Sequence, residues 1–250
     1  MKVIARVTGL VLAIAVLVPG ALAGCGSSAP AGPAAPPSPS GSAAAPSSPA
    51  PSSPAPSSPA PSSPAPAPTA TVVSSTVSYP WHWPNDVNQP GQVQHSYPVP
   101  PLPRLIAIAA GSHPAQQGEQ TYDRMSFTFT TAFPGYQFTF TKALVADPSG
   151  NPVKLAGNGV LKVTFRLAQA HTASGRSSIA VQPPAQLGLN RMASWAQAGD
   201  FEGVVTIGIG VTWPSSQSNP QIPVRATEVE KLTAQGRHLY VVAIDIDATA

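Results

Sequence analysis

The chain has 250 residues, of which 32 are Pro, one is Cys and 9% are charged, with a formal net charge of +3. A single cysteine excludes an internal disulfide framework. The lysines and arginines are spread singly along the chain, which excludes the clustered basic footprint of a nucleic-acid binder.

Lys2 and Arg6 form a basic tip, residues 7–18 an apolar run, and Pro19-Gly20 a break. A membrane span needs about 20 apolar residues, so the run reads as a signal h-region rather than a transmembrane helix. Leu22-Ala23-Gly24-Cys25 follows, with the sole cysteine last. This order resembles a bacterial lipoprotein leader. The resemblance implies cleavage after Gly24, lipidation of Cys25 and a membrane anchor on the extracytoplasmic face, stable when two or more acyl chains are attached. Loss of residues 1–24 leaves eleven basic against ten acidic residues.

Residues 25–75 read as a disordered tether. Pro-Ser-Ser-Pro-Ala repeats four times over residues 46–65. Such a segment buries too little apolar surface to offset its ordering entropy. In polyproline II form, at about 3.1 Å per residue, some 50 residues reach on the order of 150 Å. Ser and Thr beside Pro also suit a glycosylated stalk.

Residues 76–103 form an approach segment. It holds Tyr79-Pro80-Trp81-His82-Trp83-Pro84, then Pro98, Pro100, Pro101 and Pro103. This proline density excludes a helix and argues against a central strand. The rings are expected to lie on the domain as a strap. The alternative is a stacking surface for sugars, because Trp81 and Trp83 would share one side of an extended chain. His82 and the other four histidines show no metal-ligand spacing, so neither a metal nor a cofactor is expected.

From residue 104 to 250 the dominant period is two, as in half-buried strands. Met125, Phe127 and Phe129 alternate with Ser and Thr, as do Tyr136, Phe138 and Phe140. Leu161, Val163, Phe165 and Leu167 share a face; so do Val205, Ile207, Ile209 and Val211, and Tyr240, Val242, Ile244 and Ile246. Residues 105–109 and 224–229 add two short candidates. Turn signals such as Pro134-Gly135 and Gly157-Asn158-Gly159 separate them. The fold class is therefore all-β, an antiparallel β-sandwich with a barrel as the alternative. Residues 169–189 show no period and read as a long loop. Residues 191–198 fit either a helical turn, on Met192, Trp195 and Ala196, or a strand.

Candidate chemistry is sparse. Asp200 and Glu202, two apart, would share a face if extended and are read as opening a strand after Gly199. Such a pair serves acid–base chemistry or a hard cation, or one of them pairs with Arg104 or Arg124. Asp123 and Arg124 read as an ion pair at a strand start. Gly208 and Gly210 lie opposite Ile207 and Ile209; they permit close packing, or a bare shelf for a sugar or peptide beside Trp213 and Trp195. His113 and His171 read as surface turn residues. There is no nucleophile-elbow or zincin motif, and a non-enzymatic protein is expected.

Four strings resemble successive motifs of the AMIN-like domain. They are Tyr122-Asp123-Arg124-Met125-Ser126-Phe127-Thr128-Phe129, Pro134-Gly135-Tyr136, Gly150-Asn151-Pro152-Val153-Lys154-Leu155-Ala156-Gly157 and Gly199-Asp200-Phe201-Glu202-Gly203-Val204-Val205. The resemblance covers most of residues 104–248, and residues 237–246 resemble the family's last strand. It implies a β-sandwich of the kind found in secreted and lipid-anchored actinobacterial proteins, related to the AMIN domains that bind peptidoglycan in cell-wall amidases. The expected function is a lipid-anchored envelope module that binds peptidoglycan or a wall-associated protein. Tentative ligand residues are Asp123, Arg124, Asp200, Glu202, Gly208, Gly210 and Trp213. Two other readings stand beside it: a hydrolase built on Asp123, Asp200, Glu202 and His171, and a carrier with an apolar cavity.

Overall fold

The computed structural model describes residues 70–96, 100–116, 118–214 and 221–249. Cys25, the leader and most of the tether lie outside the described residues.

Twelve strands are described: β1 (Thr71–His82), β2 (Gln92–Val93), β3 (Leu105–His113), β4 (Tyr122–Phe129), β5 (Gly135–Thr141), β6 (Leu144–Val145), β7 (Pro152–Val153), β8 (Gly159–Arg166), β9 (Met192–Phe201), β10 (Val204–Val211), β11 (Val224–Leu232) and β12 (His238–Asp247). They form two five-stranded antiparallel sheets. The first runs β1-β11-β12-β4-β3 and the second β2-β5-β8-β10-β9, while β6 and β7 make a separate hairpin. The sheets face one another as a sandwich, as the period-two pattern predicts.

Alternation builds the core. Successive side chains of a strand point to opposite faces, so Met125, Phe127 and Phe129 of β4 are wholly buried between the sheets while Ser126 and Thr128 face outward. Phe165 meets Phe127 and Phe129 at centroid distances of 4.9 Å, and Tyr79 meets Phe138 edge-on at 5.0 Å. Such ring pairs contribute about 0.5–1.5 kcal/mol beyond area burial. Together with Leu161, Ile207 and Ile244 these rings fill the space between the sheets, which removes the carrier reading. Leu167 departs from its expected face: β8 ends at Arg166, and Leu167 turns out to the surface with φ of 54°.

The body begins upstream of residue 104. β1 and β2 bring residues 71–82 and 92–93 into the two sheets. Pro80 is tolerated because β1 is an edge strand. The aromatic strap does not form a joint stacking surface. Tyr79 enters the core and Trp83 packs against it, while Trp81 lies on the outer face against Tyr122 and Arg225. Residues 169–189 are irregular, as expected, and residues 192–201 are strand rather than helix.

β10 is buried on both faces. Val205, Ile207, Ile209 and Val211 face the core. Gly208 and Gly210 face outward, where the β6–β7 hairpin and its following segment lie on them. A methyl group at Gly208 would overlap Leu144, and one at Gly210 would overlap the Ala156 carbonyl. Ser194 Oγ locks the segment by accepting from Ala156 N at 2.8 Å and donating to Ala156 O at 3.1 Å. The glycines make room for the chain's own hairpin, and the ligand shelf expected there is occupied.

Candidate functional site

The outer face of the second sheet is polar where the hairpin does not cover it. Register sets its rows. Gln92 of β2, Gln137 of β5, Thr164 of β8 and Thr206 of β10 form one row across four strands. Gly135, Arg166 and Val204 form the next, and Thr139 pairs with Lys162 on the other side. Thr164 and Thr206 are buried, so the open floor is the part carried by Gln92, Gln137 and Thr139, and it has two walls. On the β10 side stands the hairpin segment, marked by a bond from Thr206 Oγ1 to Asp147 Oδ2 at 3.1 Å. On the β5 side stand residues 84–94.

The second wall is pinned at several points. Asn85 donates to Phe140 O at 2.9 Å and accepts from Phe140 N at 2.7 Å and from Thr139 Oγ1 at 3.1 Å, imitating a strand partner. Gly91 O accepts from Phe138 N at 2.7 Å. A Cβ at Gly91 would stand 2.5 Å from Phe138 O and 2.6 Å from Pro84 Cβ, so only glycine lets the wall lie this close. The Tyr79 hydroxyl holds Gln89 O at 3.0 Å, and burial, with Asp86 nearby, pushes its pKa up to about 12. Asp86 bonds to Asn88 N and to His82 Nε2, and these bonds hold its carboxyl below the usual range.

Two clefts lie along this face and share Gln92 and Gln137. One, of about 370 Å³, is lined by Gln94, His95, Arg166 and Glu202 among others; the second, of about 320 Å³, by Asn85, Asp86 and Thr139. Together they line a groove in which apolar side chains such as Val93, Pro84 and Val87 stand among the amides of Asn85, Gln92, Gln94 and Gln137, with Arg166 bonded to Gln137 Oε1 at 3.1 Å and charges of both signs at the rim. The rim is made of two turns. Leu167 and Glu202 have φ of 54° and 49°, and they are two of the three non-glycine residues with positive φ among the described residues. At Glu202 this is the ordinary geometry of a two-residue hairpin turn, with Gly203 at 75° beside it.

Behind the larger cleft sits a buried polar network. Glu228 Oε1 accepts from the Tyr136 hydroxyl at 3.0 Å and lies 2.7 Å from His95 Nε2, while Ser78 Oγ meets the Tyr136 hydroxyl at 2.7 Å. Burial, reinforced by the Glu228 charge, raises the Tyr136 pKa far above the usual phenol range, so its O–H remains the donor to Glu228. The network fixes His95 on the cleft wall.

Of the tentative ligand residues named from the sequence, Glu202 alone lines this groove. It sits in the β9–β10 turn and does not share an extended face with Asp200. Asp200 lies near the end of β9 rather than at a strand start. It binds His171 Nδ1 at 2.7 Å and Ala170 N at 3.1 Å, not an arginine. Asp123 and Arg124 are not a pair, because neighbours on a strand point apart. Asp123 is buried in the core and accepts from Ser112 Oγ, Arg191 N and Met192 N. Arg124 turns outward to Asp245. Trp213 covers Gly159 and meets Phe140 edge-on at 5.9 Å, so it packs the chain rather than a ligand. Trp195 is buried, with its ring N–H on the carbonyls of Pro183 and Pro184.

The hydrolase constellation does not assemble. Asp123 binds the N–H of Met192 at the start of β9, and Asp200 lies eight residues further along that strand. At about 3.3 Å per residue the two carboxylates stand roughly 25 Å apart. Among the described residues no group of three or more His, Cys, Asp and Glu side chains is arranged to hold a metal ion.

Comparison with known families adds one finding. The family model of the AMIN-like domain matches residues 104–236. No curated protein and no solved structure matches the chain.

Proposed function

This chain belongs to the AMIN-like domain family, whose members are cell-wall-related binding modules, and from that premise we propose that it binds peptidoglycan in the polar groove of its second sheet. One observation carries the assignment: the two clefts that share Gln92 and Gln137 present the amides of Asn85, Gln92, Gln94 and Gln137 and the Thr139 hydroxyl, with Arg166, Asp86 and Glu202 beside them. Amide and hydroxyl groups match the N-acetyl and hydroxyl groups of a wall glycan. Charges of both signs match stem peptides, which carry carboxylates and amines. Solvent-facing polar recognition of this type needs no deep apolar pocket.

The protein acts as a non-catalytic module held to the membrane through a lipid on Cys25, with the Pro/Ser/Ala tether setting its reach into the wall. The leader pattern supports this anchoring. A wall-associated protein is the second partner class for the same groove.

Co-sedimentation of the full chain, in mild detergent, with purified insoluble peptidoglycan tests the proposal. The wild-type chain is expected in the pellet. The double variant Gln137→Ala, Arg166→Ala is expected to lose at least tenfold in affinity with an unchanged melting curve, since both side chains lie on the outer face. Wild-type protein that stays in the supernatant across salt and pH contradicts the glycan assignment and favours a protein partner.

A further inference from the structure

Two opposite charges face the larger cleft of the groove, and neither is neutralised. Arg166 and Glu202 are the only Lys, Arg, Asp or Glu side chains that line it, and both are exposed. Among the described residues neither of them enters an ion pair. The other titratable groups on the wall are already committed. His95 Nε2 lies 2.7 Å from Glu228 Oε1, and the Tyr136 hydroxyl donates to the same oxygen at 3.0 Å.

The fold places these two charges on one rim and keeps them apart. β8 ends at Arg166, and the Glu202-Gly203 turn lies against that exit. Ala168 N donates to Gly203 O at 2.9 Å, and a Cβ on Gly203 would touch Leu167 Cα at 4.0 Å. Arg166 pairs in register with Val204, the first residue after the turn. Its guanidinium is drawn the other way, toward β5, where Gln137 Oε1 accepts from Nη2 at 3.1 Å. That acceptor is neutral, so the bond fixes the guanidinium without compensating its charge. Gly135, the neighbour of Arg166 on β5, has no side chain to fill the row beside it. Neighbouring strands lie about 4.8 Å apart, so β5 and β10, with β8 between them, are roughly 10 Å apart. An ammonium and a carboxylate on one carbon, each extended by a charge-assisted hydrogen bond of about 2.8 Å, span nearly that distance.

We propose that the larger cleft takes a chain end that carries an ammonium and a carboxylate on one carbon, with the carboxylate on Arg166 and the ammonium on Glu202. The inference rests on the peptidoglycan reading of the groove and narrows it to stem peptides that are not cross-linked, in which the distal carbon of a diamino acid keeps both charges. An end already joined through its amine is an amide and has lost the positive charge, so the cleft separates free ends from linked ones. A guanidinium has five N–H donors, and the bond to Gln137 uses one, so Arg166 keeps donors for a carboxylate. A polyanion would bring repeated negative charge against Glu202, and a polycation would do the same to Arg166. One charge of each sign selects against both.

Isothermal titration of the full chain, in mild detergent, with three synthetic stem-type peptides tests the assignment. In the first peptide the diamino acid ends in a free ammonium and a free carboxylate. In the second that amine is acetylated, and in the third that carboxylate is amidated. Each block is expected to weaken binding to the wild-type chain about tenfold. Glu202→Gln is expected to bind the first and second peptides equally, and Arg166→Gln the first and third. Both side chains are exposed, so the melting curves should not move. The peptide series on the wild-type chain decides the matter even if a variant misfolds. Equal affinity for all three peptides, or a preference that survives in both variants, overturns the inference. So does a chain that sediments with peptidoglycan yet binds no peptide, and in that case the groove assignment stands. A chain that binds neither peptidoglycan nor peptide removes both.

Discussion

Asp245→Ala is expected to lower stability by about 3–5 kcal/mol, the cost of removing one partner from a buried charge cluster. Asp245 has no exposed surface. Arg124 grips it with both arms, Nε to Oδ1 at 2.6 Å and Nη2 to Oδ2 at 2.9 Å, and Arg225 adds Nε to Oδ2 at 2.9 Å. The bond to Asp245, opposed by burial, raises the Arg124 pKa. Trp81 and Tyr122 close over Arg225 at 4.6 and 5.0 Å, and Tyr122 also faces Arg124 at 5.2 Å. Removing the carboxylate leaves two guanidinium groups against the sheet with only Glu119 beside Arg225. For a folded body of 150–250 residues each kcal/mol moves the melting midpoint by about 2–4 °C. A fall on the order of 10 °C should follow. Asp245→Asn keeps the shape and one acceptor and should fall in between. A loss below about 1 kcal/mol, the level of a solvent-exposed ion pair, would show that water already screens the cluster.

Asp123→Ala is the second large effect, at roughly the same size but with a different physical origin. Here the carboxylate serves the backbone. Its Oδ2 accepts from Arg191 N and Met192 N, and its Oδ1 from Ser112. Each buried donor left unsatisfied costs about 1–3 kcal/mol, so the three together reach about 3–5 kcal/mol after partial relaxation. The damage should be local first. Arg191 spans the carbonyls of Thr212, Asp247 and Thr249 at 3.1, 3.1 and 2.8 Å, so it ties the start of β9 to the end of β12. Hydrogen exchange in Asp123→Ala is therefore expected to quicken at Met192 and near Asp247 before it quickens at Phe127. Uniform acceleration would mean that Asp123 supports the whole fold rather than this junction.

These two carboxylates show how far the sequence could be read. Asp123 lies in phase with Met125, Phe127 and Phe129, so its inward face follows from alternation alone. Two of its three partners did not, because they are backbone groups some seventy residues away. Glu228 gives the same signal: it sits in phase with Val224 and Ala226, and a charge at an inward position announces a buried network. Asp245 gives no such signal. It lies between Ile244 and Ile246 on the outward phase, and neighbouring arginines and rings from three other strands bury it. The glycines of β10 were legible as a demand for close approach. What approaches them was not, since the covering hairpin shows only two short strands. The groove was the least legible element. Its floor is made of Gln92, Gln137 and Thr139 at outward positions that look like ordinary solvated strand residues, and only the register of β2 on β5 brings the two glutamines together. The aromatic strap misled for a related reason: Trp81 and Trp83 share a side only while the chain stays extended, and β1 ends between them.

The groove is the central claim, and its most direct measurement is a titration of isotope-labelled protein with soluble peptidoglycan fragments, followed by amide chemical shifts. Binding as proposed moves the signals of Gln92, Gln94, Gln137, Arg166 and Glu202 and leaves those of Gly208, Gly210 and Arg124 in place. Shifts that cluster around Arg124 and Tyr122 instead, or a spectrum unmoved at saturating fragment, would contradict the assignment.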